Sequence, residues 1–491
     1  MAKVVFLGLD GFHPDFVKKW AGELPHLRRM QERGIWGSMK TLVPPSSPQV
    51  WTSTQCGQDP GVHGVWDFTF RDDFSYGEKK ETNSEVINNA TPLYTLLSRK
   101  AQKVAIINVP FTWPPPKIPG GYAISGPPAP KQGSIFTYPD NLKEEIDRLV
   151  EDYIMDVTEV KAVYDTDKKR VLKSICEMDS QRFILTEHFI NNKNCDFVMT
   201  SVRGANHMLD LFYQGFDSKV EHFDSDSSYE ETLHDYYTWI DKKVGELCEN
   251  FNKNVILFIC SCFGAQKLEG RINLNEWLIK EGYMVPFQYP KEPTPLEEIK
   301  VDWCNTKCWS SGYAGKLYLN VEGREPEGIV DPQDYDELLD ELIARIQQDI
   351  PNELGKKMHI QTCKRADTYF GPSAKYSPDL FVIFDEAHLG TSELVGHDQK
   401  AILSYDIAPY NSNTAHSLYS YFVVSGSGIP AEGEYEGGSI LNIAPTVLDV
   451  FGLSIPRKIK KSSILALVKK EEAKKVKEAD KVRSRLEVLG Y

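Results

Sequence analysis

Short apolar runs rich in β-branched residues recur along the chain, and between them lie longer stretches with helical apolar spacing. The first kind predicts buried strands at Val4–Leu9, Val104–Val109, Phe197–Ser201, Val255–Cys260, Leu380–Phe384 and Tyr421–Ser425. The second predicts helices over Pro25–Arg33, Pro92–Lys100, Lys168–Asn191, Tyr229–Phe251, Asp334–Asp349 and Ile443–Phe451. Strands alternating with amphipathic helices are the pattern of a mostly parallel sheet covered by helices, an α/β fold. Ligands in such sheets gather beyond the carboxyl ends of the strands, so the residues after each apolar run are the ones to inspect.

Proline punctuates this pattern. From Phe111 to Asn141, runs such as Trp113-Pro114-Pro115-Pro116 predict an extended covering loop, because proline lacks an N–H and fixes φ. A second irregular region, Val285–Asp302, and the section through Gln361 and Pro372 predict a smaller inserted subdomain. The expected division is residues 1–284 and 365–467 as the core and 285–364 as the insertion, with 468–491, rich in Lys and Glu, as a charged C-terminal helix. No internal repeat is visible.

Composition narrows the function. Of 491 residues, 41% are hydrophobic, ample for a core. A formal charge of −14 opposes nucleic acid, whose backbone calls for clustered Lys and Arg, but leaves room for a local basic pocket. The expected partner is therefore a small-molecule anion, with the oligomeric state left open. Nine scattered cysteines without paired zinc-site spacing fit reduced thiols, and the first residues enter an apolar strand without a leader pattern. A cytoplasmic protein is expected. The apolar runs are far shorter than the roughly 20 residues of a membrane helix, so no membrane partner is expected.

Asp10 ends the first predicted strand ahead of Gly11, where its carboxylate either ligates a metal or caps the next turn. Val43 through Gly57 reads as a loop entering a helix, with Ser47 at the N-cap and Pro48 at the first helical position. Ser47 is then either a structural cap or a nucleophile set beside free N–H groups and a positive dipole end, where an anion binds.

Leu9-Asp10-Gly11, Pro44-Pro45-Ser46-Ser47-Pro48 leading to Trp51-Thr52-Ser53, and Gly57 through Phe68 resemble the first half of a known signature. It is that of the type I phosphodiesterase/nucleotide pyrophosphatase branch of the alkaline phosphatase superfamily. Ile107 through Pro115, Asn273-Leu274-Asn275-Glu276-Trp277, Asn320 through Val330, Ala444 through Leu448 and Leu489-Gly490-Tyr491 resemble its later landmarks. The resemblance implies an α/β/α sandwich, a covalently phosphorylated nucleophile at Ser47, and a pair of metal ions. The family's ligands are a first Asp, an Asp-x-x-x-His, an Asp-His-Gly and a late His. This chain keeps Asp10, His207 and, with His397 as the alternative, His416. Arg203 and Cys262 stand where the family has Asp, and Phe263 where it has His.

A phenyl ring coordinates nothing, and a guanidinium opposes a nearby cation. The expectation is no two-metal centre and no cofactor, although a single zinc on Asp10 and Cys262, or on both histidines, stays open. Losing two cations and two carboxylates while gaining an arginine keeps the pocket near its former charge. Arg203 then either grips an oxyanion through paired donors or simply packs. Ser47, His207, His416 and Asp10 form the candidate catalytic set, and Arg203 and Cys262 the candidate substrate contacts. In that set a histidine serves as general base and acid, Asp10 orients a histidine or lends its charge, and Arg203 steadies the oxyanion. Three functions compete: a metal-free enzyme on a phosphoester-like anion, an ordinary metal-dependent phosphodiesterase, and an inactive binding or scaffold homologue.

Overall fold

The computed structural model describes residues 3–76, 80–87, 89–128, 133–157, 168–212, 227–251, 254–398, 401–405 and 414–473. Its centre is a ten-stranded mixed sheet. In spatial order the strands are Gly433–Glu434, Gly34–Lys40, Tyr419–Ser425, Val255–Cys260, Lys3–Leu9, Phe197–Val202, Val104–Val109, Tyr122–Ser125 and Thr137–Tyr138, with Gly438–Ser439 also paired to Gly34–Lys40. The strands from Val255–Cys260 through Tyr122–Ser125 run parallel.

Side chains alternate faces along each strand, and here both faces are covered. Val5, Leu7 and Leu9 enter one apolar cluster with the helices Pro25–Glu32, Lys168–Asn191 and Ser227–Asn250. Val4 and Phe6 enter another with Ser47–Cys56, Leu93–Ser98 and Ile443–Val450. The result is a three-layer α/β/α sandwich.

Three expectations need correction. Leu380–Phe384 is a strand, but it joins a separate four-stranded antiparallel sheet with Cys308–Ser311, Lys316–Leu319 and Ile360–Lys364. Its residues are buried on both faces, and such a run carries no mark of which sheet it joins. The apolar cluster of this smaller body also takes in Ile272, Trp277, Leu389 and Ile402, so it reaches past both ends of the expected 285–364. Second, Phe111–Asn141 is more than a covering loop, since Tyr122–Ser125 and Thr137–Tyr138 build the edge of the main sheet. At an edge the donors that proline lacks are not missed. Third, Gly34–Lys40 forms a strand against Tyr419–Ser425 that its glycines concealed; a Cβ on Gly34 would lie 2.1 Å from the carbonyl oxygen of Val424.

Residues 464–473 are helical, and 474–491 of the expected charged helix lie outside the described residues. Among the described residues, no helix is long and apolar enough to cross a membrane. Leu9 pairs with Val202, and Gly8 with Cys260. Asp10, Arg203 and Phe263 therefore leave the sheet along one edge.

Candidate functional site

The helix Ser47–Cys56 begins one residue earlier than expected: Ser46, with φ −83° and ψ 132°, is the N-cap, and Ser47 is the first helical residue. Ser46 does not use its hydroxyl as a cap; it donates to Asp67 Oδ1 at 2.7 Å. Asp67 is in turn ion-paired with Lys316 of the smaller sheet, and both are buried. Burial, the largest single effect, would raise the Asp67 carboxyl, but the Lys316 charge together with the hydrogen bonds from Lys316, Ser46 and the Phe68 N–H outweighs it and lowers the pKa. Ser47 is 7% exposed and opens on a cavity of about 440 Å³ between the core and the smaller body.

One turn into this helix, Trp51 donates its indole N–H to Asp10, 2.8 Å from Oδ2 and 3.1 Å from Oδ1. The ring lies across Gly8, where a Cβ would come within 2.2 Å of it, so only glycine fits. Asp10 is 1% exposed; burial pushes its pKa up to about 7 against the opposing charge of Arg203 and the Trp51 bond. Arg203 spans two carboxylates, with Nε 3.9 Å from Asp10 Oδ2 and Nη1 3.0 Å from Asp156 Oδ1. His207, on the helix Gly204–Phe212, places Nε2 2.8 Å from the same Asp156 oxygen. Against burial, the charges of Arg203 and then His207 hold the Asp156 carboxyl well below the usual carboxylate range.

Asp156 is the residue that sequence reasoning missed. The helix Lys168–Asn191 fixes its position. Gln181 donates to the carbonyls of Glu151 at 3.0 Å and Asp152 at 3.1 Å and accepts from the Ile154 N–H at 2.8 Å. Fully buried Arg182 donates to the carbonyls of Ile154 and Met155 and lies over the Tyr153 ring at 4.5 Å. The adjacent polar pair Gln181-Arg182, buried among the apolar residues of this amphipathic helix, is the signal that could have pointed to this tethered segment.

His416 donates from Nδ1 to the Pro45 carbonyl at 2.7 Å, which makes Nε2 the unprotonated nitrogen of the neutral ring. Phe263 stacks on that ring with centroids 3.8 Å apart. The alternative, His397, gives its backbone N–H to Glu276 at 2.9 Å and does not line the cavity. Cys262, expected as a substrate contact, is corrected: it is 0% exposed, beside Thr54 and outside the cavity lining, and burial raises its thiol pKa far above normal. Its φ of 57° turns the chain so that Phe263, and not the thiol, meets the cavity.

Ser47, Arg203, His207 and His416 thus share one cavity with Asp156. Asp10 does not line it, and the expectation that Asp10 orients a histidine is also corrected, since its partners are Trp51 and Arg203 while Asp156 holds His207. The set does not fit the paired ions the resemblance implies. A guanidinium lies between the two carboxylates, and a phenyl ring, which coordinates nothing, stacks on His416 where the resemblance places a histidine ligand. Among the described residues, no three His, Cys, Asp or Glu are grouped to hold a metal ion.

A profile described as type I phosphodiesterase/nucleotide pyrophosphatase matches residues 4–392. The chain belongs to that family. Human ectonucleotide pyrophosphatase/phosphodiesterase 5 is similar in fold at 15% identity and TM-score 0.52, over 94% of this chain and 97% of its own. Phosphonoacetate hydrolase from Sinorhizobium meliloti 1021, in complex with phosphonoformate, gives 14% identity and TM-score 0.54 over 90% and 94%. A mutant of the alkaline phosphatase PafA gives 13% and 0.53 over 94% and 98%. No curated protein sequence matches significantly. Within this member of the phosphodiesterase family, the Asn320–Val330 landmark is a brace: Asn320 donates to the carbonyls of Trp303, Thr306 and Glu327, and Arg324 grips Asp379 at 2.7 Å through two nitrogens.

Proposed function

We propose that this phosphodiesterase-family chain acts on a small phosphoester-like anion through Ser47, without a pair of metal ions. The observation that carries this reading is the shared cavity of Ser47, Arg203, His207 and His416, with an arginine where the family places an anionic ligand. Relatives of the same fold hold small anions, AMP in a murine protein and phosphonoformate in the Sinorhizobium one. In the proposed reaction Ser47 Oγ attacks phosphorus, and its proton passes to His207 Nδ1, the nitrogen that Asp156 leaves for the task. His207 returns the proton to the departing alcohol. Water then attacks the phosphoserine and gives its proton to His207, which passes it to Ser47 Oγ as the serine–phosphorus bond breaks and the phosphomonoester is released. Arg203 steadies the charge on the non-bridging oxygens, and His416 is the second acid–base group.

The test compares turnover of an aryl phosphodiester by wild type and Ser47→Ala, alongside elemental analysis of protein purified without chelators. Metal-poor protein whose rate falls about a thousandfold or more in the variant is the expected result. Two zinc ions per chain with Ser47-dependent hydrolysis would restore the metal-dependent reading. A binding-only reading draws on the phenyl ring that covers His416, and no Ser47-dependent chemistry on a broad panel would establish it.

A further inference from the structure

The cavity has two unlike walls. The edge of the main sheet supplies Arg203, and the elements beside it supply Ser47 and His207. The smaller body supplies Leu268, Val382, Ile383 and Leu389, and the covering segments add Phe68 and Phe111. Phe68 is 49% exposed and packs edge-on against Phe111 with centroids 5.6 Å apart. Phe111 holds φ at 61°, a region that bulky residues avoid, so the fold accepts strain to keep this ring at the cavity wall.

Charge is as informative as shape. Among the described residues, the lining side chains of fixed charge are Arg203, Arg271 and Asp156, a balance of one positive charge. Asp10 lies directly behind Arg203 and draws on it further. A nucleotide monophosphate or free phosphate brings more negative charge than this balances, and a nucleotide also brings a sugar and base whose polar groups would face leucine, valine and phenylalanine. Unpaired polar groups placed there lose their hydration without compensation. A volume of about 440 Å³ suits a ligand with a substantial uncharged body.

We infer that the ligand is a singly charged oxyanion, a phosphodiester, sulfate ester or carboxylate, joined to an apolar or aromatic body that rests on Phe68, Phe111 and the wall of the smaller body. This deepens the proposed function and rests on it for placing the oxyanion at Ser47. The departure from nucleotides comes from this cavity alone.

The experiment is calorimetric titration of full-length Ser47→Ala, which separates binding from turnover. The probes are methyl phenylphosphonate and phenyl sulfate, singly charged and aromatic, against inorganic phosphate and AMP. The aromatic monoanions are expected to bind at least about tenfold more tightly than the other two. Adding Ile383→Thr or Leu268→Asn, each checked for folding by near-UV circular dichroism, is expected to weaken them about threefold or more. AMP or phosphate binding as tightly, no binding by any probe, or unchanged affinity in a folded wall variant overturns the inference. Wild-type turnover is scored apart. Binding as expected without Ser47-dependent hydrolysis removes the reaction and keeps the ligand class, whereas Ser47-dependent hydrolysis with a preference for AMP does the reverse.

Discussion

Arg203 divides two carboxylates of very different proton affinity. Asp10, buried and 3.9 Å away, rises to about 7 from 3.8, while Asp156, at 3.0 Å, falls well below its usual range. An acid raised in the fold binds more protons there than in the unfolded chain between 3.8 and about 7, so its contribution to stability falls as pH rises through that window. Asp10→Asn keeps an acceptor for Trp51 and removes the effect. Its urea midpoint relative to wild type is therefore expected to improve from about pH 4 to about pH 8. His63 has the opposite sign: burial lowers it from 6.5 to about 3, so the unfolded chain takes up a proton first and stability is lost as pH falls below 6.5. Asp156→Asn leaves Arg203 and His207 without their shared charge; a loss of about 2–4 kcal/mol in urea unfolding is expected, with a displaced pH–rate profile for any Ser47-dependent activity. Asp10 and Ser47 could be singled out in the sequence because one ends a predicted strand and the other opens a helix, whereas Arg203 and His207 were picked out by the family resemblance alone. Asp156 could not, because it arrives on a loop tied down by a helix that follows it. Cys262 was misplaced because its left-handed backbone turns the thiol inward, which residue order does not record.

The helix that begins at Ser47 is buried along its whole length, so its placement depends on close fits. The tightest is Trp51 over Gly8. Gly8→Ala is expected to displace the indole from Asp10 and to lower stability by about 1–3 kcal/mol, read as a lower thermal midpoint together with a changed tryptophan fluorescence spectrum. At this scale the sequence showed long amphipathic helices well, because a period of three to four residues sustained over Lys168–Asn191 has no other explanation. Strands were harder. Gly34–Lys40 lacked a continuous apolar run, and Leu380–Phe384 had one without an address, since sheet membership is decided by partners distant in the chain.

Across the whole molecule, the bond from Ser46 to Asp67 and on to Lys316 ties the entrance of the Ser47 helix to the smaller sheet. Lys316→Met would strand a buried carboxylate at a cost of roughly 3–5 kcal/mol, and adding Asp67→Leu is expected to recover much of that. A double-mutant cycle in urea measures the coupling. Because Asp67 is lowered in the fold, the pair's contribution is present above 3.8 and lost as pH falls below it. The wedge of Arg203 between Asp10 and Asp156 also resists piecemeal exchange. Exchanging this arginine alone for an acid would crowd three like charges around a centre with no counterion, and a histidine at position 263 alone would meet His416 with nothing for both to hold. Either exchange made alone is therefore expected to disturb the local charge or stacking without assembling a cation site.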